Sequence, residues 1–399
     1  MMLPLDPPTQ AYPWGSRTLI AQLRGETEPS KHPEAELWYG AHPALPARVD
    51  GQKLDELIAE DPAAHLGVDI AEKFSGELPY LLKILAANEP LSLQAHPSAH
   101  QAREGFEREN AGGIDIRDPH RNYRDPQPKP ELLVALTEFH AMAGFRPLKL
   151  TRELLQALAC PELDRYLAIL GDDDSTPEET GLRGLFTTWI SIPAPARRTL
   201  IAAIVERARA FIRDMENHPV EENTWMVDAA RNIVNLHEHY PGDVGVLGGL
   251  LLNYLVLQPG ESIFLDAGNL HAYCRGMGVE IMANSDNVLR GGLTSKHVDV
   301  PELVKVLRFE SLAEPTLRDR DGHYEVNLDA FDLHRFDIVD TRTVSLSGPR
   351  IVLCTQGEIT VGNGDAELDL TPTQAVWISA ADPCEIKLTG SGQVFVARA

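Results

Sequence analysis

Ser92, Gln94 and His96 alternate with Leu91, Leu93 and Ala95 in the run Leu91-Ser-Leu-Gln-Ala-His-Pro97. A strand here presents three polar side chains on one face and apolar ones on the other. An amide oxygen and an imidazole two residues apart can reach one cation, and a carboxylate with a second histidine would complete a nitrogen and oxygen ligand set. Glu131, in Lys129-Pro-Glu131, and His271, in Gly268-Asn-Leu-His271, are the candidates. Taken singly, each has a blander reading. A lone inward histidine is more often a hydrogen-bonded structural residue, Glu131 could open a helix, and His271 could cap a turn. Those readings leave the polar faces unexplained, and the four residues together account for them.

Charge adds further candidates. Lys83 lies between Leu82 and Ile84, where a buried cation without a function is costly. The segment Val279-Glu280-Ile-Met-Ala-Asn284-Ser-Asp286-Asn287-Val-Leu-Arg290-Gly-Gly292-Leu-Thr-Ser-Lys296 interrupts apolar residues with many polar ones. Such polar density inside a fold is expensive unless it meets a ligand. Arg290 could equally be the structural partner of Asp286, four positions earlier, and Glu280 could be structural. Lys129 and Lys296 fall in loop-like contexts where solvation is the default. Trp14, Trp38 and Trp189 read as core residues.

These residues must be positioned by several elements. A chain of 399 residues exceeds what one core usually serves, so two or three domains are expected. Residues 1–145 read as short strands and loops, with helical spacing only around 100–109. Helical periodicity then dominates 148–170 and 194–215, separated by the solvated loop 171–177. Strand character returns at 250–257 and 262–265, a helix is expected after Asp299-Val-Pro301, and strands follow at 350–361 and 375–378. This order predicts two β-barrels or sandwiches with a helical domain inserted into the first.

Composition excludes some functions. A net charge of −23 repels phosphate backbones and anionic membranes, so nucleic acid and membrane partners are not expected. Any anionic substrate needs a local basic pocket. No run approaches the length that spans a bilayer, and the first ten residues place Pro and Asp where a signal peptide needs a basic start and an apolar middle. Cys160, Cys274, Cys354 and Cys384 are scattered without a CxxC. A cytoplasmic protein is expected.

Gly260-Glu-Ser-Ile-Phe-Leu-Asp-Ala-Gly268-Asn-Leu-His271 resembles the second metal motif of the cupin superfamily, with Asp266 where that family usually has Pro. The resemblance narrows to the type I phosphomannose isomerase family through Tyr12-Pro-Trp-Gly-Ser16, Ala35-Glu-Leu-Trp-Tyr-Gly-Ala-His42, Gln94-Ala-His96, Asn122-Tyr-Arg-Asp125, Lys129-Pro-Glu131, Gly144-Phe-Arg-Pro147 and the Asn284 to Lys296 run. It implies a mainly β fold with an α-helical insertion, built as two cupin-like jelly-roll barrels plus a helical domain. The catalytic barrel would comprise 1–147 and 237–310, the insertion 148–236, and a second barrel without a metal site 311–399. Residues 352–381 contain no histidine.

The resemblance further implies an enzyme that interconverts mannose 6-phosphate and fructose 6-phosphate, with one zinc ion per chain; a monomer is expected. Carried over by position, the metal ligands are Gln94, His96, Glu131 and His271, and Arg290 is the catalytic arginine. Lys83, Lys129 and Lys296 line the sugar-phosphate site, with Ser92 and Asp286 at further pocket positions. The family often has His before the equivalent of Lys129, where this chain has Pro128, so no ring-opening role carries over there. Moving a proton between C2 and C1 through an enediol builds charge on two oxygens, which a Lewis-acidic cation and an arginine can meet. The proton carrier is left open between Glu280 and Lys129. Two other classes compete: a cupin holding iron for oxygen chemistry, and a sugar-phosphate binding module without turnover.

Overall fold

The computed structural model describes residues 2–171 and 177–399, so most of the expected loop at 171–177 lies outside the described residues. Strand Tyr80–Ala87 is buried along its whole length, as a continuous apolar run requires of a strand covered on both faces. It pairs antiparallel with Glu36–Gly40 on one side and His271–Ala283 on the other. The sheet continues through Glu131–Ala135 to Ser262–Leu265 and Thr316–Leu317.

Strand His271–Ala283 serves two sheets. Its second half pairs with Tyr80–Ala87 and Glu131–Ala135, and its first half with Phe139–Phe145 and Leu93–Ala95. The change of partner occurs at Gly276, whose φ is 118° and where a Cβ would stand 2.6 Å from the Glu138 carbonyl oxygen. Only glycine allows that conformation and approach. Leu252–Leu257 and Leu289–Gly292 complete the second layer, and the two layers form one barrel.

The strand period of two then decides which side chains face the site. Tyr80, Leu82, Ile84, Leu132, Val134, Val279 and Ile281 pack outward in one core with Tyr324, Leu333, Ile351, Trp377 and Phe395 of the last sheet. Their neighbours Lys83, Glu131 and Glu280 therefore point the other way, into the barrel. The last sheet runs in the order Met2–Leu5, Ala375–Ile378, Arg350–Gly362, Glu385–Arg398, Asp332–Ile338 and His323–Tyr324. The chain thus begins in the sheet where it ends: Met2 pairs with Ile378 and Leu5 with Ala375, although the first residues were expected in the catalytic barrel.

Helices Leu148–Ala157, Asp164–Leu170, Glu178–Ile190, Ala194–Asn217 and Thr224–His239 form the insertion. Their apolar stripes, including Leu154, Leu185, Trp189, Ile201 and Ile233, share a continuous core with Leu93, Leu252, Leu270 and Leu289 of the barrel. Helices Leu54–Glu60, Pro62–Leu66 and Val68–Lys73 were not expected in the N-terminal segment. They are five to seven residues long and broken at Asp61-Pro62 and Gly67, too short for the helical period to stand out. The expected helix near 300 is Val300–Val306, with Asp299 accepting from Glu302 N and Pro301 in its first turn. Among the described residues no helix is long and apolar enough to cross a membrane, and Cys160, Cys274, Cys354 and Cys384 are free.

Candidate metal centre and its cavity

Gln94 sits on Leu93–Ala95, in register with His271 on one neighbouring strand and Arg290 on the other. Sheet geometry alone therefore sets these three residues side by side at about 5 Å between register partners. The strand ends at Ala95, and His96, Pro97 and Ser98 follow it. Ser98 caps helix Ala99–Ala111 in a reciprocal box with Gln101, which holds His96 at the strand exit. His271 opens its strand after a tight turn at Gly268, φ 79°, where a Cβ would meet Arg308 Cγ at 2.9 Å.

Both histidines are anchored through Nδ1, His96 to the Asn287 carbonyl oxygen at 2.7 Å and His271 to that of Asn269 at 3.0 Å. A carbonyl only accepts, so each ring carries its proton on Nδ1 and turns the Nε2 lone pair inward. These lone pairs face one carboxylate: His96 Nε2 is 3.3 Å from Glu131 Oε1, and His271 Nε2 is 3.4 Å from Oε2. Two imidazole nitrogens and two carboxylate oxygens so placed repel unless a cation lies between them. The separations match the spacing of about 3.4 Å expected between ligand atoms around a tetrahedral metal with bonds near 2.0 to 2.1 Å. His96 Nε2 is buried without a hydrogen-bond partner, and burial holds its imidazole pKa below the ordinary value, favouring the neutral ring that can ligate. Gln94 Nε2 donates to Ser92 Oγ at 3.1 Å, leaving the amide oxygen as the atom open to a cation. The residues present fit a divalent metal.

A cavity of about 540 Å³ opens beside this cluster and is lined by Ser92, Gln94, Lys83, Lys129, Arg290 and Lys296. Lys129 Nζ reaches Glu131 Oε1 at 3.2 Å. Asp286 also lines it, and meets His42 Nε2 at 3.5 Å rather than Arg290, the alternative partner four residues on. Glu280 stands behind the wall, 3.2 Å from Lys83 Nζ, while Glu36 reaches the same ammonium at 3.6 Å. Burial opposes the charge on Lys83, but Glu36 and Glu280 outweigh it and hold the pKa above its ordinary value. Burial raises the Glu280 carboxyl against the pull of Lys83. Trp38 is a core residue, as expected, packed with Leu81 and Met282; it also lines the cavity together with the partly buried Trp14 and lies under Lys83 Nζ at 5.3 Å. Trp189 is in the helical core. Pro128 lines a separate groove with Ser98 and Pro130.

Two residues escaped the sequence reading although both lie in its quoted motifs. Arg124 lines the cavity near Arg290 and Lys296. Burial first, and then the Arg124 charge, lower the pKa of Arg290; burial, Arg290 and Arg124 do the same to Lys296. Three cations so close form a basic patch in an acidic protein. Asn287 is fully buried. Its side-chain oxygen accepts from Arg124 N at 2.7 Å, and its amide nitrogen donates to the carbonyls of Asp125 and Gln127. Asn287 thus ties the loop carrying Arg124 to the backbone that holds His96. Short polar residues in a loop give little sign of such bonding before the loop is folded.

The family model of the phosphomannose isomerase type I catalytic domain matches residues 2–148. The mannose-6-phosphate isomerase of Escherichia coli (strain K12) is 36% identical over 399 residues, covering 96% of each chain. That of Homo sapiens is 29% identical over 431 residues, covering 100% of this chain and 98% of its own. A crystal structure of mannose 6-phosphate isomerase bound with zinc and yttrium superposes with TM-score 0.86 at 33% identity, covering 100% of this chain and 99% of that one. The enzyme from Salmonella typhimurium bound to substrate (f6p) and a zinc atom gives the same TM-score, identity and coverage. With this similarity running the length of both chains, and the cluster of Gln94, His96, Glu131 and His271 at its centre, the chain belongs to the mannose-6-phosphate isomerase family.

Proposed function

We propose that this protein is a zinc-dependent aldose-ketose isomerase interconverting mannose 6-phosphate and fructose 6-phosphate, with one zinc ion held in the barrel by Gln94, His96, Glu131 and His271. The observation that carries the assignment is the convergence of two imidazole lone pairs and a carboxylate beside a basic cavity. Zinc, when bound, supplies Lewis-acid polarisation of a substrate oxygen. Arg290, in register with Gln94, offers a planar multi-donor contact to the enediolate oxygens without titrating. Lys129 lines the cavity and touches the ligand carboxylate, whereas Glu280 is committed to Lys83 behind it. Lys129 therefore carries the proton between C2 and C1, as a neutral amine taking it from C2 and as the resulting ammonium returning it to C1, and Glu280 keeps Lys83 charged and in place.

The phosphate lies against Lys296 and Arg124, where charge is least compensated. Lys83, already neutralised by two carboxylates, donates to a sugar hydroxyl, as does Ser92. The His42 and Asp286 pair is the acid-base couple left in the cavity for ring opening: Ala44 N donates to His42 Nδ1 at 3.2 Å, which directs the Nε2 proton toward Asp286. An iron oxygenase would have no use for this basic patch, and a pure binding module no use for the metal cluster. A monomer in the cytoplasm suits the free cysteines and the acidic surface.

The test is His271→Ala. It should lose one equivalent of zinc per chain by elemental analysis, and isomerase activity with it, while keeping its far-UV circular dichroism. Wild-type zinc content with wild-type turnover would overturn the ligand assignment.

A further inference from the structure

His323, Asp332 and His334 form a second group of ligand-type side chains, at the edge of the last sheet and away from the cavity. Strand His323–Tyr324 pairs with Asp332–Ile338 so that His323 stands opposite His334. The two imidazoles stack with centroids 4.3 Å apart and planes 12° apart. Asp332 precedes His334 by two residues and so shares its face. His323 Nε2 lies 2.5 Å from Asp332 Oδ1, and His334 Nε2 lies 3.1 Å from Oδ2. Arg398, the register partner of Asp332, donates to Oδ2 from Nε at 2.9 Å and from Nη2 at 2.7 Å.

We propose that this edge is a second divalent-metal site, taking a borderline cation such as Zn²⁺ through His323 Nε2, His334 Nε2 and Asp332 Oδ1. Two imidazoles and a carboxylate are the ligand types such cations prefer. The donor atoms of the three residues already lie within 4.8 Å of one another. Binding turns the two rings out of their stack and exchanges their contacts to Asp332, His323 to Oδ1 and His334 to Oδ2, for bonds to the shared ion. Arg398 stays on the other carboxylate oxygen as the outer-shell partner that orients a ligating carboxylate. Ligation requires each ring with its proton on Nδ1 and its Nε2 lone pair given to the metal. The side chains retain 34%, 19% and 13% of their exposure in the order His323, Asp332, His334, so water can complete the coordination.

The site lies outside the histidine-free stretch of the second barrel, on its rim rather than in its interior. A cation there would clamp His323–Tyr324 to the sheet. Tyr324 in turn donates to the Gly260 carbonyl of the catalytic barrel at 3.0 Å, so the clamp would stiffen the junction between the two barrels.

The experiment is zinc counting on the full-length protein after loading with Zn²⁺ and dialysis. Wild type should hold one equivalent more than His323→Gln and one more than His334→Gln, with isomerase activity unchanged in both. That difference holds whatever the barrel site contains, so a failure of the barrel assignment would appear separately, as one zinc falling to none. The His271→Ala protein should still bind one Zn²⁺ through the rim site. Equal zinc content in wild type and both glutamine variants, or a His271→Ala protein that binds none, overturns the proposal.

Discussion

Lys83 and Glu280 are register partners on adjacent antiparallel strands, and their charged ends meet at 3.2 Å inside the barrel. Glu36, on the strand beyond Lys83, makes the second contact at 3.6 Å and also accepts from Trp38 Nε1. One ammonium thus lies between two buried carboxylates and is shared by both. Removing the cation should therefore cost more than removing one acid. Glu280→Gln leaves Lys83 paired with Glu36 and should lose little stability, whereas Lys83→Met should lose about 3 kcal/mol or more, because it leaves buried carboxylates without a cation. Urea denaturation of the two variants decides the order, and the reverse order would mean that Glu36 does not share the charge.

Arg290→Lys should cripple turnover far more than binding. An ammonium in the same place is a point charge and cannot reproduce the two-donor contact to an enediolate. The expected loss is on the order of 100-fold or more in kcat, the range for removing one transition-state donor. A rise in KM at constant kcat would instead assign Arg290 to the ground-state sugar.

Lys296 sets an alkaline limit. Burial, Arg290 and Arg124 all disfavour its charged form and hold its pKa below the ordinary 10.5. As pH rises, the free enzyme loses this cation earlier than an ordinary lysine would, and a phosphate dianion loses its partner. The kcat/KM for mannose 6-phosphate should fall along that limb, because this ratio reports the free enzyme. Lys296→Arg should move the limb to higher pH, since guanidinium does not titrate there. A limb that stays in place would show that another group controls it.

Asn287 tests how far the site depends on the loop packed against it. Asn287→Asp keeps the shape, but a carboxylate cannot donate to the carbonyls of Asp125 and Gln127. Two buried acceptors would face a negative charge. Zinc affinity should drop about 10- to 100-fold, as for other outer-shell changes, together with a rise in KM from the displaced Arg124. Competition with a chelator of known affinity measures the first effect. Unchanged zinc affinity would confine Asn287 to loop stability.

Much of the chemistry was legible in the order of residues. Alternation in the 91–97 run placed Gln94 and His96 on one face because a strand has a period of two, and the same rule turns Lys83 inward between Leu82 and Ile84. The helical insertion showed itself because long amphipathic stripes keep phase over several turns. Tertiary structure decided what depends on distance. Only the fold shows that two Nε2 lone pairs converge on Glu131, because their Nδ1 anchors come from Asn287 and Asn269 carbonyls that carry no side-chain signature. Only the fold sets Glu36 and Glu280 on the same lysine, joins Met2–Leu5 to the last sheet and stacks His323 on His334. Local sequence reports periodicity and residue chemistry, whereas strand pairing across hundreds of residues is set by how whole faces bury against one another, and that choice belongs to the folded chain.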